Sequence, residues 1–486
     1  MMSALEQKTG YTHFLRNQPV YLLSSILAGA ISFLILPIYT RFLSPEDFGL
    51  WSLFSIAAQV FAVFLTCGLD SVAIKHWHLA QDIEARQKVV SQSLSLALVL
   101  GAIGSGLGIL VFWLGHDIWV GRVHGGLIIV GTFIAALQSM LNVGMGVIRA
   151  QNRPFAFGCL SFTRVAVQLS VSGTAALRGH LNLQVAAWAW LAGEATALVI
   201  LLAFLRPRAL FARSFANEAL QYGLPMVIAG FGNFVLFGAD RYFLAGFRGL
   251  REVAVYAVAY KVATILEVAV VRPFAIGWAA GRFQVGSGDE GSAGYVRALA
   301  LFLVPSVIMF AVVCCLRREI IALVAPAGYE KAAFLIPILL GAYFFLGLSY
   351  PLNVGVMFRD RPTPVAAATW VAVLLNTVGN IALIPSWGAT GAALSTLVGY
   401  GILCLILWRS SLVTHPIDYP AVRFGVFTVM GCGLGVIASR FGTGTADIGA
   451  VGRVILVVAL VTGLAHQLGL LGMATGSRRT RDLVGV

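Results

Sequence analysis

Charge is what this sequence has least of. Asp, Glu, Lys and Arg together make up 11% of its 486 residues, whereas soluble globular domains carry about a quarter. Mean hydropathy is +0.88, and 59% of residues are hydrophobic. Together these values exclude a soluble globular class. Cysteine is also sparse. The six (Cys67, Cys159, Cys314, Cys315, Cys404, Cys432) lie in or beside apolar runs, without the spacing of a metal site or a secreted disulfide framework, and read as packing residues. No stretch between apolar runs is long enough for an extramembrane catalytic domain, and no clustered Ser/His/Asp set is present. No Walker-type phosphate loop occurs, so no nucleotide, metal or other cofactor is expected. The N-terminus lacks a signal-peptide pattern, because Glu6, Lys8 and Arg16 precede an apolar run too long for an h-region.

What is present is a succession of apolar stretches, each long enough to cross about 30 Å of hydrocarbon as a helix. Breaks at charged and Pro/Gly-rich points predict spans near 19–40, 48–69, 90–114, 126–147, 154–177, 184–205, 219–239, 253–276, 297–316, 332–356, 363–384, 388–408, 421–439 and 450–472. The expected fold class is an all-α polytopic membrane protein of about fourteen helices. With the N-terminus inside, nineteen of the thirty-three Lys and Arg fall on the cytoplasmic side. Eleven fall outside, among them Arg41, Arg241, Arg248, Arg317, Arg318, Arg440 and Arg453. That bias follows the positive-inside rule and predicts two cytoplasmic termini. The formal charge of +13 is scattered singly between spans. It therefore points to anionic membrane lipid as a partner and away from nucleic acid.

Segments of the first half recur in the second. Arg41-Phe42-Leu43 resembles Arg241-Tyr242-Phe243-Leu244, Asn152-Arg153-Pro154 resembles Asp360-Arg361-Pro362, and Val185-Ala186-Ala187-Trp188 resembles Gly391-Ala392-Ala393-Leu394, at offsets of 200, 208 and 206. One duplication of a six-helix unit accounts for them. Six is even, so both copies enter the membrane in the same direction and are expected to enclose a central cavity. The expected organisation is an N-terminal segment (1–18), an N-lobe (19–210), a C-lobe (211–410), two appended helices (411–474) and a basic tail (475–486).

Ionisable residues at mid-span are the candidate functional groups, because each costs about 2.5–3.5 kcal/mol on insertion scales and is usually kept for a cavity or a partner. Arg164, Glu194, Lys261, Glu267 and Arg272 qualify. Lys261 and Arg272 are eleven residues apart, which on an uninterrupted α-helix gives one face and about 16 Å of axial separation. They read as cavity cations that attract an anionic group, with snorkelling to the cytoplasmic interface the alternative for Arg272. Arg164 and Glu194 stand at equal depth on consecutive spans, as an ion pair or as substrate contacts. Glu267 is either a proton-carrying carboxylate or the counter-charge of a neighbouring Arg. Arg41, Asp240 and Arg241 are expected to end equivalent spans at the outer face, as anchors or as cavity groups. Tyr256 and Tyr260 would stack on sugar or sit in the aromatic belt. Pro37, Pro225, Pro273 and Pro337 lie in or beside spans and permit kinks.

Several stretches resemble one known family. They are Leu36-Pro37-Ile38-Tyr39-Thr40-Arg41-Phe42-Leu43-Ser44-Pro45-Glu46-Asp47-Phe48-Gly49-Leu50-Trp51; Tyr222-Gly223-Leu224-Pro225 running on to Asp240-Arg241-Tyr242-Phe243-Leu244; Val255 to Lys261; and Asn376 to Asn380 with Pro385 to Ala393. The sequence is similar to the polysaccharide-transport (oligosaccharide flippase) family of the multidrug/oligosaccharidyl-lipid/polysaccharide exporter superfamily. The resemblance implies a two-lobed fold with alternating access. It also implies movement of an undecaprenyl-diphosphate-linked oligosaccharide across the bacterial inner membrane, for O-antigen, capsule or exopolysaccharide synthesis, alongside a polymerase and co-polymerase. A cation-coupled multidrug exporter of the same superfamily is the alternative, but residues 19–40 contain no acidic side chain of the kind it would need there. A membrane-embedded polymerase or ligase would need a long outer loop that the sequence lacks.

Overall fold

The computed structural model describes residues 29, 31–114, 125–281, 289–353, 363–414, 417–441 and 448–475. The expected N-terminal segment, most of the first span's opening turns and the tail beyond Thr475 lie outside them. The described residues are helical throughout, with no strand. A bilayer imposes this, because hydrocarbon offers no water to unpaired backbone groups. Eleven helices among the described residues are long and apolar enough to cross a membrane.

The chain runs through α1 (Ile31–Phe42), α2 (Pro45–Thr66), α3 (Leu69–Leu79), α4 (Ile83–Leu114), α5 (Gly125–Ala150), α6 (Pro154–Leu177) and α7 (Leu183–Leu205). It continues through α8 (Arg213–Arg248), α9 (Leu250–Leu266), a π-helical turn (Glu267–Val271), α10 (Arg272–Gly281), α11 (Asp289–Cys315), α12 (Arg317–Val324), α13 (Ala332–Leu352) and α14 (Thr363–Thr414). The last helices are α15 (Ala421–Ala438), α16 (Ile448–Gln467) and α17 (Leu470–Thr475).

The second set of helices repeats the first at a narrow offset. Pro45 and Leu250, Ile83 and Asp289, Gly125 and Ala332, Pro154 and Thr363 open corresponding helices 205 to 209 residues apart. Likewise α1 ends at Phe42 and α8 at Arg248. The Arg41/Arg241 match at offset 200 is therefore out of register with the helices. Arg241 lies nearly two turns inside α8, not at its end. The second helix of each set is also interrupted: Cys67 (φ 44°) and Gly68 (φ 67°) separate α2 from α3, and the π turn separates α9 from α10. The chain divides into two compact units between Phe234 and Val235, within α8. The opening turns of α8 belong to the first, where Phe215, Ala216 and Ala219 share a core with Leu69, Val72, Leu201 and Leu205.

Local sequence explains the helix ends. Ser44 caps α2: its hydroxyl oxygen accepts from the Asp47 N–H at 3.0 Å and donates to the Asp47 carboxylate at 2.8 Å, with Pro45 in the first turn. Asn182 caps α7 by accepting from the Val185 N–H at 2.9 Å. In the second unit the corresponding turn is Gly388, which breaks the long α14 into two helices at φ 54°, ψ −132°. Only glycine adopts that conformation readily. The space is closed as well, since a Cβ there would lie 2.1 Å from a Glu252 carboxylate oxygen. Glu252 accepts from the Ala389 N–H at 3.0 Å and so caps the second half of α14, while Arg248 donates to the Ser386 carbonyl at 3.2 Å.

Replacing Gly388 with Ala is accordingly expected to cost about 1–3 kcal/mol, from backbone strain and displacement of Glu252. The check is the thermal midpoint of purified protein in detergent. Gly433→Ala, inside α15 where a Cβ meets nothing within 4 Å, serves as the control and should leave the midpoint unchanged or raise it slightly.

Candidate functional site

Two sets of polar groups lie inside the helices, one in each unit. In the first unit, Arg164 of α6 stands 3.4 Å from Glu194 of α7. Sequence spacing placed them at one depth, and Gly193 explains the approach: a Cβ at that position would be 2.4 Å from the Arg164 carbonyl oxygen, so the two backbones nearly touch. Glu194 is 1% exposed and also accepts from the Trp190 indole N–H at 2.9 Å. Arg164, at 31%, keeps part of its guanidinium open. Gln168 and Ser172 follow it at four-residue intervals on the same face of α6. The Gln168 amide donates to the Tyr39 hydroxyl at 3.3 Å, and Ser172 is hydrogen-bonded to that hydroxyl at 3.0 Å. Tyr39, Trp51, Phe54 and Trp190 pack edge to face or tilted beside this polar face. Arg41, one residue from the end of the same helix as Tyr39, is exposed.

In the second unit the centre is Asp240. It is 1% exposed and accepts hydrogen bonds from Tyr256, from Thr396 at 3.1 Å and from the Arg241 backbone N–H at 2.8 Å. Arg241 is buried too, with its guanidinium 4.1 Å from the Tyr260 ring centroid and 5.6 Å from that of Tyr256. A cation over an aromatic face gains about 0.5–2 kcal/mol and more where water is excluded. The expected outer-face anchoring of Asp240 and Arg241 is overturned, because α8 runs on to Arg248 and both side chains turn inward. Tyr256 and Tyr260 are likewise core residues and not belt residues, packed on one another and on Tyr343.

Lys261 follows Tyr260 and is partly exposed. The face it was expected to share with Arg272 requires an unbroken α-helix. The π turn inserts about one residue per turn, which rotates Arg272 by roughly 100° relative to that expectation. The same turn brings residues five apart onto one side, and Arg272 bonds Glu267 at 2.7 Å. Glu267 is thus the counter-charge of Arg272 in this conformation.

Asn376 and Asn380 were visible in the sequence but not singled out. They are fully buried one turn apart, with the Asn380 amide donating to the Asn376 carbonyl at 3.1 Å. Among the described residues, the Asn376 amide nitrogen and the Asn380 amide oxygen make no hydrogen bond. They face the helix that carries Ser395 and Gly399, next to Thr396. The signal that could have found them is two amides at i and i+4 in an otherwise apolar span.

Comparison with known proteins places the chain. A family model described as polysaccharide biosynthesis protein matches residues 14–276. An uncharacterized membrane protein of Methanocaldococcus jannaschii is 28% identical over 227 residues, covering 44% of this chain and 43% of that protein. The match therefore spans less than half of the relative's length. Among solved structures, the fold is similar to the lipid II flippase MurJ in an inward closed conformation, with a TM-score of 0.72 at 14% identity over 96% of this chain and 99% of that one. It is also similar to an outward-facing multidrug resistance transporter of the MATE family, with a TM-score of 0.61 at 15% identity over 83% of this chain and 95% of that one. At these identities the likeness is one of fold.

The buried pair in the first unit makes a specific prediction. Arg164→Ala strands Glu194 and should lower stability by about 1–3 kcal/mol, less than the roughly 3–5 kcal/mol of a fully buried pair because Arg164 is partly open. The double variant Arg164→Ala/Glu194→Gln should recover most of the loss in a detergent melt. Equal destabilisation by the single and double variants would show that the pair is not coupled.

Proposed function

Since this chain belongs to the polysaccharide biosynthesis protein family and is a multi-pass membrane protein with the fold of the multidrug/oligosaccharidyl-lipid/polysaccharide exporter superfamily, we propose that it is a flippase for a lipid-linked oligosaccharide. The substrate class is a polyprenyl-diphosphate-linked glycan, moved from the cytoplasmic to the outer leaflet of the bacterial inner membrane by alternating access. The product would feed O-antigen, capsule or exopolysaccharide assembly, with a polymerase and co-polymerase acting next. Both termini are read as cytoplasmic.

The observation that carries this reading is the set of cations held within apolar spans of a chain from this family. Arg164, Arg241, Lys261 and Arg272 sit where a charge is expensive; Glu194 stands beside Arg164, Asp240 beside Arg241 and Glu267 beside Arg272. A diphosphate offers two anionic groups with fork geometry suited to Arg. It can take over a cation's partner without leaving the cation bare, so capture and release both cost little. Lys261 supplies a point charge on the same helix as the aromatic cluster, and Arg41 extends the cationic set in the first unit. Asp240, Glu194 and Glu267 are the candidate coupling acids. Asp240 is favoured for that role, because its buried carboxylate is held by the Tyr256 and Thr396 hydroxyls, groups that can accompany a proton on or off it.

Transport of a cationic drug by the same fold is the competing reading, and a small-molecule efflux assay in cells separates the two. In a strain lacking the gene, surface glycan should be lost while its lipid-linked precursor accumulates. Wild-type protein should restore the glycan. Lys261→Ala, which removes a charge from within an apolar span, should restore it at least about tenfold more slowly at equal protein level. Normal glycan in the deletion strain contradicts the function, and full rescue by the variant contradicts the role of Lys261.

A further inference from the structure

Two buried oxygen atoms in the first unit have no hydrogen-bond donor among the described residues: Oε2 of Glu194 and the amide oxygen Oε1 of Gln138. Packing links their positions. A Cβ at Gly144 of α5 would lie 2.2 Å from the Leu201 side chain of α7. α5 and α7 run in the same direction, since α6 crosses between them, and about two turns back from that contact stand Gln138 and Glu194, at one depth. Gln138 also follows Gly131 by about two turns, so it lies on the side of α5 where a Cβ would be 2.9 Å from the Phe54 ring. Phe54 packs edge to face on Trp190 at 6.2 Å between centroids, and the Trp190 indole N–H donates to the other Glu194 oxygen.

A buried acceptor without a donor is destabilising, and here two of them fall in one place. The same place is open at its edge. α6 has the lowest mean hydropathy of the eleven candidate spans and is the least buried of them, and its Arg164 and Gln168 are both partly exposed. A guanidinium and a carboxamide left open inside a span face water and not hydrocarbon. The chemistry of the group then selects its ligand. A cation would meet the Arg164 guanidinium, which stands 3.4 Å from the same carboxylate. A phosphate brings acceptor oxygens and would oppose Glu194 Oε2 and Gln138 Oε1. An apolar molecule would leave both oxygens unpaired. A sugar ring satisfies every member: its hydroxyls donate to the two oxygens and accept from Arg164 and Gln168, and its C–H face lies on the half-buried Trp190 and Phe54 rings.

We propose that Glu194 and Gln138, with Trp190, Phe54, Arg164 and Gln168 around them, form a sugar-binding subsite that takes a neutral, hydroxyl-bearing ring of the glycan and not the diphosphate. The subsite rests on the flippase reading for the source of that sugar. Arg164 stays paired with Glu194 and turns its open edge to a sugar oxygen, while the cations of the second unit are left to meet the diphosphate. The two glutamines, which carry no charge, select the ring by its pattern of donors and acceptors.

Saturation-transfer NMR on the purified full-length protein tests it, in lauryldimethylamine oxide, a detergent without sugar, with glucose, galactose, mannose and N-acetylglucosamine as probes. Wild type should transfer saturation to the ring C–H protons of at least one of them, and inorganic pyrophosphate should not displace it. Gln138→Leu removes one of the two oxygens, leaves the Arg164–Glu194 pair intact, and should bind that sugar about tenfold more weakly. Its melting point should not fall, because the oxygen it removes has no donor among the described residues. A purely structural glutamine would give the opposite pattern, a lower melting point with unchanged binding. If Gln138→Leu does melt lower, Gln138→Met, which keeps the unbranched length, is read in the same way. Transfer to none of the four sugars, displacement by pyrophosphate, or equal binding by wild type and the variant overturns the proposal. None of these results depends on transport: glycan rescue with no sugar binding sinks the subsite alone, and sugar binding without rescue sinks the flippase reading alone.

Discussion

Hydrocarbon contains no water, and this constraint organises the molecule at every level. It forces the backbone into helices, since each unpaired amide would cost several kcal/mol. It also requires that any charge kept within a span be answered from within the protein. The acids inside the helices obey: Glu194 has Arg164 and Trp190, Asp240 has Tyr256 and Thr396, and Glu267 has Arg272. The cations are answered by the same acids or, for Arg241, by aromatic faces. A network satisfied in this way does not hold the fold together cheaply, because removing one partner exposes the full desolvation cost of the other. Its retention therefore points to work done by the charges when their partners change.

The architecture explains how such a change could be confined. Corresponding helices of the two sets are both interrupted, by a left-handed pair of residues at Cys67 and Gly68 and by the π turn at Glu267 to Val271. A π turn weakens the regular backbone ladder and is common at functional positions. Here it also creates the Glu267–Arg272 contact, since residues five apart meet on its surface. Relaxing that turn to α-helix would separate the pair and carry Arg272 back toward the face of Lys261. Local backbone geometry and cation placement are thus one variable in α9 and α10.

Much of this was legible in the sequence, and the rest was hidden for identifiable reasons. Composition alone demanded a helical membrane protein, and the boundary expected between the spans at 363–384 and 388–408 coincides with the break at Gly388. The equal depth of Arg164 and Glu194 on consecutive spans was legible, and an ion pair was one of the two readings it left open. The position of Arg241 did not follow, because hydropathy ends a span at the first cluster of charges, whereas α8 continues to Arg248 and folds those charges inward. The same error put Tyr256 and Tyr260 at the interface. The Lys261–Arg272 face was misjudged because a π turn leaves no mark in residue composition. Asn376 and Asn380 escaped because they are uncharged, and Thr396 because its role depends on which helix faces it.

Transport of a lipid-linked glycan across a bilayer by this protein is the claim on which the roles of its charges rest. The most direct measurement uses proteoliposomes containing purified protein and an undecaprenyl-diphosphate-linked oligosaccharide with a terminal sugar that an added, impermeant glycosidase can cleave. Empty liposomes release only the sugar facing outward. With the protein present, release should continue until nearly all glycan has been cleaved, at a rate that rises with protein content. Release that stops at the level of empty liposomes, in vesicles that still exclude the glycosidase, would contradict the account.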